Sequence, residues 1–314
     1  MYNIAVIGAG IISGRHIKAI DKHPDTKLAA VVDIDIQKAE KAALPYSAAV
    51  FTDYTEMLDT CRPDAAIINL PHGLHESCAI ACAERGVHVF LEKPMSVSYV
   101  SCMRINDACL KNDVLIQVGH VQGYDPYNRA AKAIIDSGEL GKMVMISDIR
   151  TTNYFLPNRP RWFLNKKTAG GGIWINYGAH ALDKLCFLCG CGINSITGSC
   201  TYPPEYDVDG SAQALVRMEN GVTAAVSICG YTANSLHETH IYLTDGEIKL
   251  RPFESLHVCR GTGGVFEEIT PSGYEDAFHA QWEDFVSGLK EHRILRCSGE
   301  YGANIMKYVE QLWD

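Results

Sequence analysis

Short runs of aliphatic and β-branched residues recur along the first third of the chain, at 4–7, 28–32, 65–70, 87–91 and 114–118. Each is strand-length and apolar throughout, the pattern of strands buried on both faces of a parallel sheet. Helical periods fill the gaps at about 15–22, 74–85 and 97–111. Strands alternating with helices of that length predict a doubly wound α/β sheet, a Rossmann-type domain over residues 1–122. After Gly141 the pattern changes. A strand begins at 143–146, and 211–218 alternates strictly between apolar and polar residues. Glu219-Asn220-Gly221 then makes a tight turn, and Val222, Ala224, Val226 and Ile228 alternate again. Asn-Gly between alternating runs is a hairpin signal, and 241–244, Asp245-Gly246 and 248–250 repeat it. Residues 123–314 therefore predict an α+β domain with a large, mainly antiparallel open sheet. A helix at 173–188 covers one face, the other face forms a subunit interface, and a last helical pattern at 304–313 packs back on the first domain.

Composition narrows the function classes. With 314 residues, 47% hydrophobic and 21% charged, the chain has ample core for two domains. A net charge of −9 argues against nucleic acid or an anionic membrane as partner. No apolar run is long enough to span a bilayer. The first residues enter a strand without a basic leader, so a cytoplasmic protein is expected. Twelve cysteines scattered through helices and strands read as reduced thiols. Cys186, Cys189 and Cys191 form C-x-x-C-x-C, but lie at the end of an apolar helix closed by Gly190. They are expected to pack rather than to bind metal.

Two stretches carry candidate chemistry. Gly8-Ala9-Gly10-Ile11-Ile12-Ser13 follows the first strand and approximates the dinucleotide fingerprint, with a small residue at its third position. Asp33 ends the second strand, 23 residues beyond Gly10, where a carboxylate bonds the adenosine ribose and repels a 2′-phosphate. That favours NAD over NADP. Asp35 is close enough to share the role. The run at 87–91 ends in Glu92-Lys93-Pro94. Strand carboxyl ends are where open α/β sheets gather ligands, and Pro94 keeps Lys93 out of the helical region. The same charged pair would also suit a solvated strand end.

Four stretches resemble the glucose-fructose oxidoreductase / inositol dehydrogenase / rhizopine-catabolism (Gfo/Idh/MocA) family. They are the turn and helix start at 8–16, Leu70-Pro71-His72-Gly73-Leu74-His75, Glu92-Lys93-Pro94, and Gly170-Gly171-Gly172 leading to His180 and Asp183. A weaker fifth runs from Gly119-His120 through Asp125-Pro126 to Gly141. The resemblance implies an NAD-dependent oxidoreductase of sugars, cyclic polyols or their derivatives, assembled as a homodimer or homotetramer. It places the family's lysine on Lys93 and its histidine on His180. Cofactor contacts fall on Gly8, Gly10, Ile11, Ile12, Asp33, Leu70, Pro71, His72, His75 and Glu92.

Two positions depart from the family. Asn176 stands where an aspartate is usual, and Gly123 stands before Tyr124 where many members have arginine. On a continuous helix, Asn176, His180 and Asp183 would share a face. A lone histidine on an apolar helix also suits a core position, but the resemblance favours catalysis. The mechanism expected is that His180 takes the hydroxyl proton, Lys93 stabilises the developing alkoxide, and both meet one carbinol. Asn176 positions a group but cannot offset an imidazolium, so an acid-shifted histidine is expected. Asn153, Tyr154, Trp162 and Tyr231 are the candidates for the substrate cleft. Two other outcomes fit the family: a redox-neutral glycosidase that retains NAD, and a dinucleotide or sugar sensor without turnover.

Overall fold

In the computed structural model, which describes residues 1–273 and 276–313, the elements alternate as the hydrophobic pattern predicts. The first stretch runs β1 (Tyr2–Ile7), α1 (Ser13–Lys22), β2 (Thr26–Val32), α2 (Ile36–Ala43), β3 (Ala49–Phe51), α3 (Tyr54–Cys61), β4 (Ala65–Ile68), α4 (His75–Ala83), β5 (His88–Leu91), α5 (Tyr99–Lys111) and β6 (Ile116–Val118). There follow α6 (Pro126–Ser137), β7 (Met143–Asn153), the short α7 (Lys166–Ala169), α8 (Ala179–Cys189), β8 (Ile193–Thr201), β9 (Ser211–Met218), β10 (Thr223–Cys229), β11 (Tyr231–Leu243), β12 (Gly246–Arg251), β13 (Ser255–Arg260) and β14 (Glu267–Glu268). Helices α9 (Ala277–Glu291) and α10 (Gly299–Glu310) close the chain.

The first sheet has six strands in the order β3-β2-β1-β4-β5-β6, paired in parallel throughout. This is the doubly wound order, with its switch point between β1 and β4. The strands are apolar because both faces are covered: Ile4, Val6, Ala65 and Ile67 are buried. Caps set the helix starts. Asp35, Asp53 and Ser98 each accept a backbone N–H at the start of α2, α3 and α5.

The second sheet has eight strands in the order β14-β13-β12-β11-β7-β10-β9-β8. Only β7 and β10 pair in parallel among them; the remaining pairs are antiparallel. The predicted hairpins form, with Arg217 opposite Thr223 and Leu243 opposite Gly246. Alternation puts Ala212, Ala214, Val216, Ala224, Val226 and Ile228 inward, while Leu215 is 56% exposed. Helices α6 and α8 pack against each other, and α6 also lies against β12 and β13.

The division of the chain differs from a single cut at residue 122. One compact unit comprises 1–120 and 278–306, the other 121–277 and 307–314. The reason is apolar burial. Trp282, Phe285, Val286 and Leu289 of α9, and Leu295 beyond it, join Ile4, Val6, Ile67 and Phe90 in one core, where Phe285 meets Phe90 edge to face at 5.6 Å. The Trp282 indole donates to the Thr26 hydroxyl at 3.3 Å. The last helix is longer than its sequence pattern, and its residues are shared between the units at Met306 and Lys307. Among the described residues no helix is long and apolar enough to cross a membrane.

Candidate functional site

The first unit carries one set of candidate residues, at the carboxyl ends of its strands. After β1 the chain turns at Gly8 with φ +96°, and a Cβ there would sit 2.7 Å from the Asn69 carbonyl oxygen. Only glycine fits. At Gly10 a Cβ would meet nothing within 4 Å, so the backbone is open to a ligand. No side chain caps the amino end of α1; the Ser13 and Arg15 N–H groups turn to the Gly10 and Ile12 carbonyls, and the Gly14 N–H and the helix dipole face a prospective anion. The Asp33 carboxylate accepts the Ala9 N–H at 2.8 Å and the Asp35 N–H at 2.9 Å. Each oxygen keeps a lone pair, already aimed by the turn, for a ribose hydroxyl. Asp35 itself caps α2 and pairs with Lys38, so it does not take over from Asp33. Ile11 and Ile12 begin the helix entry, Ile11 being 98% exposed, and Ile34 after Asp33 is 93% exposed. Both carboxamide atoms of Asn69 are buried without a protein partner. An open glycine, an uncapped helix, an aimed carboxylate and an orphaned amide together fit NAD.

Glu92 and His75 turn out to be braces. Glu92 is 9% exposed; its Oε1 lies 2.8 Å from His16 Nε2 and its Oε2 accepts the Lys93 N–H at 3.1 Å. Burial favours the protonated acid, but His16 and the Lys93 charge outweigh it and hold the carboxyl below its usual range. Glu92 thus ties α1 to the end of β5 and fixes the backbone of Lys93, whose side chain is partly exposed. His75 is fully buried, with ring nitrogens 3.0 Å from the Pro94 carbonyl and 2.8 Å from the Leu70 carbonyl. It joins the 70–75 loop to the Glu92-Lys93-Pro94 turn and has no face left for a cofactor. Leu70 and Pro71 are partly exposed, and His72 is buried beside His75. The sequence singled out the stretch holding His16 but gave no sign of its partner, 76 residues away.

The second unit carries the other set. The predicted helix at 173–188 is not continuous: Trp174–Gly178 forms a π-turn, and α8 starts only at Ala179. The wider turn breaks the α register between Asn176 and His180, so the common face expected from an unbroken helix is lost. Asn176 is buried and hydrogen-bonds the Tyr154 hydroxyl, which donates to the Gly172 carbonyl at 3.2 Å. Asp183 is fully buried and accepts the Gln122 N–H at 3.1 Å. His180 is partly exposed, with its Nδ1 buried.

The glycine triplet serves Asp209, a residue the sequence did not single out. Its carboxylate accepts the N–H groups of Gly172 at 2.8 Å and Trp174 at 2.6 Å. A Cβ at Gly172 would lie 2.0 Å from the Asp209 carbonyl oxygen, and one at Gly171 would strike Trp313. The triplet therefore admits the 209 loop and the chain's end rather than a ligand. Burial pushes the Asp209 carboxyl up, opposed by those two N–H bonds.

Of the substrate-cleft candidates, Tyr154 is 0% exposed and cannot line a cleft. Burial pushes its phenol up, and Arg159 lies over its ring at 3.8 Å. Asn153 is exposed and pairs with Tyr231. Tyr231 stacks on Phe155 with ring centroids 5.2 Å apart, and Trp162 stacks on Phe163 at 3.7 Å. Beneath α8, two residues per strand make a polar seam. Lys184 is fully buried, with Nζ 2.6 Å from Asp148 Oδ1 on β7 and 3.0 Å from His237 Nε2 on β11. Arg150 on β7 lies 3.8 Å over the Tyr177 ring. None of these was foreseen. At the end of α8, Cys189 packs on the Met143 sulfur at 3.7 Å, and burial raises its thiol to about 12.

Comparison with known proteins bears on the family and the fold. Residues 2–120 match the model of the oxidoreductase family with an NAD-binding Rossmann fold, and residues 128–249 match the GFO/IDH/MocA C-terminal domain. A 1-carboxy-3-chloro-3,4-dihydroxycyclohexa-1,5-diene dehydrogenase of Comamonas testosteroni is 30% identical over 61% of this chain and 48% of its own. Inositol 2-dehydrogenase 2 of Saccharopolyspora erythraea is 28% identical over 72% of this chain and 66% of its own. The matched region thus spans about half to two thirds of these relatives. A solved levoglucosan dehydrogenase, in complex with NADH and levoglucosan, shares the fold with a TM-score of 0.90 at 19% identity, over 99% of this chain and 96% of that one. With both halves of its sequence matched, this chain belongs to the Gfo/Idh/MocA family of NAD-binding oxidoreductases.

Proposed function

We propose that the protein is an NAD-dependent dehydrogenase acting on a secondary hydroxyl of a cyclic polyol, sugar or sugar derivative. The observation that carries this reading is Lys93. It leaves the carboxyl end of β5, one strand from the switch point, with its backbone held by a buried Glu92–His16 pair. Gly8, Gly10, the start of α1 and Asp33 would hold the cofactor. Bound NAD supplies the hydride acceptor. The protein's own part is proton and charge handling: His180 takes the hydroxyl proton, and the Lys93 ammonium stabilises developing negative charge. A neutral imidazole suits this near pH 7, since its ordinary pKa is about 6.5. The substrates in the relatives' names, an inositol and a carboxylated dihydroxycyclohexadiene, are ring alcohols of this kind.

We also take the outer face of the eight-stranded sheet as a homo-oligomer interface. Met145, Ile149 and Leu215 are exposed there among polar neighbours, and Leu215→Glu should shift the assembly toward monomer in sedimentation.

The test is a panel of inositols, aldoses, sugar acids and glycosides, read by absorbance of the reduced nicotinamide with NAD and with NADP. Turnover should need NAD, and His180→Asn or Lys93→Met should lower kcat by about 10²–10⁴-fold while NAD still binds. Undiminished turnover in His180→Asn refutes the assignment. Glycoside cleavage without net NADH would replace it with the redox-neutral reaction, and NAD binding without any turnover with a sensor.

A further inference from the structure

Arg150 presents an unusual combination. Its guanidinium is partly buried, lies 3.8 Å over the Tyr177 ring, and donates to no acceptor among the described residues. The buried nitrogens without a partner do not include those of Arg150, so its N–H donors reach solvent and stand open to a ligand. Asp148, two positions earlier on the same strand face, acts on Arg150 through its charge and not through a hydrogen bond. Its Oδ1 already accepts Lys184 at 2.6 Å and the Thr239 hydroxyl at 2.6 Å. Asp125, whose charge also acts on Lys184, is committed to the N–H groups of Asn128 and Phe253.

Across the sheet, His237 stands directly opposite Arg150 in the β11–β7 register, which puts their Cβ atoms about 5 Å apart. Lys184 has only donors, so His237 Nε2 must accept from it at 3.0 Å. The ring proton is therefore on Nδ1, a second donor without a protein acceptor. Burial, then Lys184 and Arg150, push the His237 pKa well down, so the ring remains this neutral donor at any working pH. The seam also neighbours the proposed base. Lys184 lies four residues after His180 within α8, on the same helix face, and Tyr177 lies in the π-turn just before that helix. The side chain that Tyr177 touches is Arg150, and the one that Lys184 touches is His237.

We propose that Arg150 and His237 form a carboxylate-recognition pair, so that the substrate is the acid form of a ring alcohol or sugar. This rests on the dehydrogenase reading for the identity of the reaction, but not for the binding. A planar carboxylate matches the guanidinium fork, and its single charge is met by the charge of Arg150. A phosphate dianion would leave a negative charge beside Asp148. Arg150 and His237 are specificity residues here; they take no part in moving the proton.

The experiment is titration calorimetry of the NAD-loaded protein with matched probes: glucose and glucuronate, galactose and galacturonate, inositol and quinate, with glucose 6-phosphate as a further arm. At least one acid should bind about 10-fold or more tighter than its neutral partner. Arg150→Gln should abolish that preference, a loss of about 10- to 100-fold for the acid alone. Arg150→Lys should restore part of it, and His237→Phe should weaken it. Retained NAD affinity in each variant shows that the fold survives. Three results overturn the proposal: no acid favoured anywhere in the panel, a preference that persists in Arg150→Gln, or preference for the phosphate. Because binding is read without turnover, an acid preference with no NADH formed would sink the dehydrogenase reading and leave the pair standing. Equal oxidation of neutral and acid sugars would do the reverse.

Discussion

Replacing Lys184 with methionine should test what the buried pair under α8 contributes. Lys184 and Asp148 are 0% and 2% exposed at their side chains. Burial lowers the Lys184 pKa, and the opposing effect of Asp148 does not cancel it. The pair therefore does not fully offset its own desolvation, as is usual for buried ion pairs. Removing one partner strands the other charge, at a cost of about 3–5 kcal/mol. In Lys184→Met, Asp148 would keep only the Thr239 hydroxyl and should show that full cost. Removing the whole set in Lys184→Met/Asp148→Leu/Thr239→Val leaves no orphan on Asp148 or Thr239, and should recover most or all of the loss. The two units can unfold separately, so one global melting temperature would mix them. Hydrogen exchange of the α8 and β7 amides reads the local cost instead. About 3–5 kcal/mol is a loss of about 10²–10⁴-fold in protection for the single variant. If the single variant stays within tenfold of wild type, or the triple variant is as unprotected as the single, the reasoning about a stranded charge is wrong.

Three further outcomes follow from the same structure. Asp33→Ser should weaken NAD by about 10- to 100-fold, since two aimed acceptor oxygens are lost, and should narrow the gap to NADP; unchanged titrations with both dinucleotides would remove Asp33 from the ribose site. Burial raises the Asp125 carboxyl to about 6 from 3.8, so the folded protein holds a proton that the unfolded chain has lost. Stability should then fall by about 3 kcal/mol as pH rises from about 4 to about 6, and level off above; Asp125→Asn should flatten that slope in urea titrations of the second unit. Asn176→Asp should place a carboxylate near Tyr154 and move the acid limb of the pH–rate profile upward, and an unmoved limb would confine Asn176 to holding Tyr154.

Local signals in the chain were enough to reveal five of the six strands of the first sheet, five of the eight of the second, both hairpins and the dinucleotide turn; β3, β8, β13 and β14 were not foreseen. An apolar strand, a glycine with positive φ and an aspartate at a strand end each act over a few residues, so spacing alone reveals them. The π-turn was not legible, because it depends on Asp209 drawing in the N–H groups of Gly172 and Trp174 from 37 and 35 residues away. Neither α9 nor its destination was foreseen, and even a recognised amphipathic helix shows that it has an apolar face but not which sheet that face will cover. The same limit explains His75 and Glu92. Sequence marked them as residues of the site, and only packing showed that their polar atoms are spent on Leu70, Pro94 and His16.

What the order of residues determined by itself was the kind of protein: a parallel sheet built for a dinucleotide, followed by an antiparallel sheet with a histidine-bearing helix. Tertiary structure decided which polar groups have partners and which do not. Arg150 and His237 are 87 positions apart in sequence, yet strand pairing sets them side by side. Lys184 reads as an ordinary helix lysine until burial removes its water. Hydrogen-bond satisfaction and desolvation belong to groups that meet only in the folded chain, and so the choice of ligand is made there.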